Sequence, residues 1–92
     1  MADILTDHLR PSPDAVESAV GDETVILHLK SGTYFGLDPM GTRIWAMLKE
    51  GVRIADISKR LTEEFDVSQD VAEADARRFL GELKANGIVE AA

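Results

Sequence analysis

Apolar positions along the chain change period near residue 38. From Val16 to Leu37 they alternate in short runs, and from Met40 to Leu83 they recur every three or four residues. These spacings distinguish half-buried strands from amphipathic helices. Val16-Glu-Ser-Ala-Val20 reads as a weak first strand ending at the turn signal Gly21-Asp22. In the second strand Val25, Leu27 and Leu29 fall on one face and Ile26, His28 and Lys30 on the other, so both faces are partly apolar. Thr33-Tyr-Phe-Gly-Leu37 forms the third, joined to the second by Ser31-Gly32. A two-residue turn there predicts that Lys30 pairs with Thr33, Leu29 with Tyr34, His28 with Phe35, Leu27 with Gly36 and Ile26 with Leu37.

Asp38-Pro39 is a helix start, with a carboxylate to take a free backbone N–H and proline at the first helical position. Met40, Ile44, Met47 and Leu48 lie on one side of that helix with Trp45 beside them, and Gly51 ends it. Ile54, Ile57, Leu61 and Phe65 form the stripe of a second helix, which breaks at Asp66-Val67-Ser68. Ser68 caps a third, whose apolar positions are Val71, Ala72, Ala76, Phe79, Leu80 and Leu83, with Asn86-Gly87 as the stop. Ile88-Val89 is expected to fold back onto the core. Residues 1–13 contain Pro11 and Pro13 and no sustained period, and read as a loosely ordered lead-in to one domain over residues 14–92. Strands first and helices afterwards predict an α+β fold, winged helix-turn-helix-like, with a three-stranded antiparallel sheet followed by three helices.

Composition narrows the function. In 92 residues there is no cysteine, which removes disulfides, thiolate nucleophiles and most structural zinc sites. His8 and His28 belong to no spaced ligand motif, and no cofactor or metal is expected. His28 is the only plausible base in a structured region and reads first as a half-exposed sheet residue, because the sequence shows it no catalytic partner. The acidic residues Glu63, Glu64, Asp66, Asp70, Glu73 and Asp75 lack the alternating oxygens and central glycine of a calcium loop, and read as a solvated helix face. Catalysis is therefore not expected.

A winged helix-turn-helix invites a DNA-binding reading, but the third helix opens with Asp70, Glu73 and Asp75 in a chain of net charge −7. Phosphate repulsion opposes it. There is no apolar run of about 20 residues and no basic-then-apolar start, so neither a membrane span nor a secretory signal is seen, and the cytoplasm is the expected compartment.

The third strand carries neither charge nor proline, the usual protections of a sheet edge. Tyr34 and Phe35 suit cross-strand packing, whereas Gly36 marks a place where another backbone comes close. Val25-Ile-Leu-His-Leu-Lys-Ser-Gly-Thr-Tyr-Phe-Gly-Leu-Asp38, Gly41-Thr-Arg-Ile-Trp45, Glu73-Ala-Asp-Ala-Arg-Arg-Phe-Leu-Gly-Glu-Leu83 and Asn86-Gly-Ile-Val89 together resemble the PqqD-like proteins. These are also called RiPP recognition elements, RiPP standing for ribosomally synthesised and post-translationally modified peptide.

The resemblance implies a peptide chaperone. It would bind the leader segment of a precursor peptide as a strand against the third β-strand, in the groove with the third helix, and present the precursor to a modifying enzyme or leader peptidase. Carried onto this sequence, the strand is Thr33, Tyr34, Phe35, Gly36 and Leu37, and the helix wall is Val71, Asp75, Arg78, Phe79 and Glu82, with Arg78 reading an acidic leader residue. The Tyr34–Asp38 run and the Gly41–Trp45 segment look more like the generic or lasso-peptide-associated members than the PQQ-pathway protein that serves a radical SAM enzyme. Two other readings stand beside this one: a winged-helix DNA-binding regulator, and pairing of the open edge with a second copy of the chain.

Overall fold

A computed structural model describes residues 8–21 and 23–92; the first seven residues of the expected lead-in, and Asp22 of the first turn, lie outside the described residues. The element order is β1 (Leu9–Pro11), β2 (Ala15–Val20), β3 (Glu23–His28), β4 (Thr33–Leu37), α1 (Pro39–Lys49), α2 (Ile54–Glu64), α3 (Gln69–Ala85) and β5 (Val89–Ala91). β2, β3 and β4 form an antiparallel meander in that spatial order, so β2 and β4 are its edges. One face of the meander carries Ile26 and Leu37 into the core with Ile44, Trp45 and Met47 of α1, Ile57 and Leu61 of α2, and Leu80 and Leu83 of α3. The α+β arrangement of three strands followed by three helices is the one the change of period predicts.

α1 and α3 begin and end where their local chemistry dictates, whereas α2 starts without a side-chain cap and stops at Glu64, so Phe65 of its expected stripe takes extended backbone just beyond it. Asp38 accepts the Gly41 N–H at 2.6 Å with Pro39 at the first position, and Ser68 accepts the Val71 N–H at 3.2 Å. Gly51 (φ 82°) and Gly87 (φ 74°) take the left-handed conformation just beyond α1 and α3. Ala72 and Ala76 are fully buried small side chains on the face of α3 that packs on α2.

Two expectations change. The β3–β4 register differs by two residues from the predicted one: His28 lies opposite Thr33, Leu27 opposite Tyr34, Ile26 opposite Phe35, Val25 opposite Gly36 and Thr24 opposite Leu37. A tight primed turn at Ser31-Gly32 would put positive φ on Ser31, and no described non-glycine residue adopts it. The chain instead loops through Leu29–Gly32 with only Gly32 left-handed (φ 70°). Gly32 N–H donates to the His28 carbonyl at 2.8 Å, Ser31 N–H donates to His28 Nδ1 at 3.2 Å, and Leu29 N–H is drawn to the Asp14 carbonyl at 2.9 Å. A slip of two leaves every side chain on its predicted face.

The second change concerns residues 8–13, which have no readable period yet belong to the fold from Leu9 onward. β1 pairs antiparallel with β5, Leu9 opposite Ala91 and Pro11 opposite Val89, and Leu9 is buried. Ser12 N–H also donates to the Ile88 carbonyl at 2.8 Å. Ile88 and Val89 do fold back onto the core. A three-residue strand is too short to show alternation, and Pro11 is tolerated because this ribbon has only edges.

Arg43 of α1 donates to Glu64 at the end of α2 at 2.6 Å. That hydrogen bond holds the Glu64 carboxyl below its ordinary pKa. The pair's stabilising contribution is complete above the ordinary carboxylate range and is lost as pH falls through the lowered pKa. Acid denaturation curves of wild type and Glu64→Gln should therefore converge at the acid end and separate toward neutrality; parallel curves would show that the pair contributes nothing.

Candidate functional site

β4 leads directly into α1, and α3 crosses beside both, leaving a groove of about 200 Å³ between the β4 edge and α3. Phe35 and Leu37 reach it from β4, because residues of a strand alternate faces and this pair shares the inner face with Ile26. On α3, Asp75, Arg78, Phe79 and Glu82 stand at helical spacings of three and four and line the opposite wall. The floor comes from Met40, Gly41 and Ile44 of α1 together with Leu83. Gly41 sets how closely α1 meets α3: a Cβ there would lie 3.0 Å from Phe79 Cε1 and 3.0 Å from Asp38 Oδ1. The cap of α1 and the groove floor are thus one piece of local structure.

Of the residues expected from sequence, the groove brings together Phe35, Gly36, Leu37, Asp75, Arg78, Phe79 and Glu82. Thr33, Tyr34 and Val71 do not line it. Thr33 is held at the hairpin end, where its hydroxyl accepts from Ser31 Oγ at 3.0 Å. Tyr34 points to the opposite face of the sheet, and Val71 is exposed in the first turn of α3. Asp38, Met40, Gly41, Ile44 and Leu83 also line the groove but were not among the expected site residues: Asp38 read as a helix cap, Met40, Ile44 and Leu83 as core positions, and Gly41 only as part of the family-like segment. For the first four, their position immediately after β4 was the available signal, since a helix that starts where an edge strand ends must have its first turn beside that edge.

The groove is apolar below and charged at its rim. Arg78 lies 3.8 Å from Asp75 and 3.7 Å from Glu82, loose pairs on an exposed guanidinium, and such pairs contribute little energy. Arg78 is thus held only loosely at the rim, shared between two carboxylates. His28 lies outside the groove, where it accepts the Ser31 N–H and closes the hairpin loop.

The arrangement is an open strand edge beside an apolar trough, without a buried catalytic constellation among its lining residues. Compared with known proteins, residues 23–89 match the family described as Coenzyme PQQ synthesis protein D (PqqD). No curated protein is a significant match. Among solved structures, TbiB1 in complex with the TbiA(β) leader peptide is 41% identical, with a TM-score of 0.82 over 88% of this chain and 94% of that one. Lasso peptide synthetase B1 complexed with the leader peptide is 29% identical, with a TM-score of 0.83 over 90% of this chain and 98% of that one. A match running from β3 to the start of β5 takes in the edge strand, all three helices and every wall of the groove, and the chain belongs to the PqqD family.

Proposed function

We propose that this protein binds the leader segment of a ribosomally made precursor peptide and presents it to the enzyme that processes it, without catalysing a reaction itself. The observation that carries the reading is the unprotected β4 edge directly beside the groove walled by α3. An extended peptide pairs its backbone with such an edge and places alternate side chains in the adjoining trough, so backbone bonds provide affinity and the trough provides selectivity. Two similar chains were solved with leader peptides, one of them a lasso peptide synthetase B1, which supports the lasso-peptide branch over a radical SAM partner. A leader peptidase is then the expected recipient, acting in the cytoplasm where precursors are synthesised.

The other edge, β2, is a poorer host. It carries Glu17, ion-paired to Lys49 of α1, and a charged side chain on an edge strand works against strand pairing. The DNA-binding reading is not favoured, because the wall of α3 that borders the groove presents Asp75 and Glu82.

Titrating the labelled protein with a synthetic leader from the precursor gene beside its own should shift the amides of residues 33–37 together with those of Asp75, Arg78 and Glu82. Shifts confined to other elements would overturn strand addition at β4. Genome neighbours encoding a short precursor, a transglutaminase-like peptidase and an asparagine-synthetase-like cyclase would identify the lasso branch.

A further inference from the structure

The sheet has a second apolar surface, on the face turned away from the helices. Pairing aligns Val16, Leu27 and Tyr34 in one row and Ser18, Val25 and Gly36 in the next. Neither row contains a charged residue, in a chain that is 29% charged. Tyr34 is 68% exposed and Val16 46%. Gly36 ends its row at the open edge, and a Cβ built on it meets nothing within 4 Å. Its φ is not positive, so backbone conformation does not demand glycine there. Packing within the chain does not demand it either. The missing side chain leaves a notch at the edge, with the half-buried Val25 directly behind it.

We infer that this notch is a second subsite for the guest strand, taking a large aliphatic or aromatic side chain on the face opposite the groove. The inference rests on the strand-addition reading. A strand paired to β4 alternates its side chains, so those between the groove-facing ones emerge beside Tyr34 and Gly36. A cross-strand neighbour of glycine has room to lie over it and cover the residue beyond, here Val25, while its flank packs on Tyr34. The leader is then read on both faces at once, by the trough through Phe35 and Leu37 and by the outer notch through Gly36. A second copy of the chain fits the same face less well. Three short strands present roughly 250 Å², against about 800 Å² per partner in stable interfaces.

The test is an alanine scan of that same synthetic leader, measured by calorimetry against wild type, Gly36→Val, which fills the notch, and Val25→Ala, which removes its back wall. With wild type, one large apolar leader residue on the outward face should lose about tenfold in affinity when cut to alanine, the size expected for an apolar side chain leaving a buried position. With Gly36→Val, and with Val25→Ala, the same cut should cost less than about twofold, the signature of coupled residues. Equal losses in all three proteins would overturn the notch. If residues 33–37 of wild type still shift on titration, that result leaves strand addition standing. If they do not shift, strand addition falls and the notch falls with it.

Discussion

Of two adjacent proline substitutions, Tyr34→Pro and Phe35→Pro, one should weaken leader binding at least about tenfold in a folded protein and the other should destabilise the sheet. Successive N–H groups along an edge strand point alternately to the inner neighbour and to the open side. At positions 34 and 35 one N–H therefore bonds β3 and the other awaits the guest. Proline at the first position leaves a β3 carbonyl unpaired, which costs about 1–3 kcal/mol and lowers the melting temperature. Proline at the second leaves the β3–β4 ladder whole but removes a donor from the guest and sets a ring in its path. Affinity should then drop at least about tenfold, or 1.4 kcal/mol. Melting curves and calorimetry on both variants, with Tyr34→Ala to separate loss of the ring from loss of the N–H, decide the matter. If both bind the leader as wild type does, the peptide does not pair with β4.

The largest effect on stability is expected at Leu80. It is fully buried on α3, between the residues that wall the groove and the small residues that pack on α2. Leu80→Ala removes a buried side chain and leaves a cavity that the close α2–α3 contact hinders from collapsing. A loss of about 2–5 kcal/mol is expected, which in a domain of this size lowers the melting temperature by roughly 8–40 °C. Chemical denaturation followed through Trp45 fluorescence measures it. A loss below about 1 kcal/mol, within the range of surface substitutions, would show that the α2–α3 seam is not where the core is tightest.

The limits of α1 and α3 were legible because each depends on local chemistry: Asp38-Pro39, Ser68, Gly51 and Gly87 act within one turn of themselves, a signal that α2 lacks. The faces of β3 and β4 were legible for a similar reason, since alternation survives a slip of two residues. The register was not legible, because the four-residue loop is selected by the His28–Ser31 contact and by the pull of Asp14, in the turn before β2, on Leu29. β1 was not legible either: it exists because β5 offers it a partner at the far end of the chain. Half of the groove, Phe79 and its neighbours on α3, was reached through resemblance rather than periodicity, which assigned Phe79 to the core. The floor at Met40, Gly41 and Ile44 depends on the angle between α1 and α3, and that angle is set by the absent side chain of Gly41 against Phe79.

Strand addition at β4 is tested most directly by hydrogen exchange of the backbone amides with and without the synthetic leader. On binding, every second amide between Thr33 and Leu37 should become protected, while those of the opposite edge, Ala15–Val20, exchange as before. Protection appearing along β2, or an unchanged β4 in a protein saturated with leader, would contradict the account.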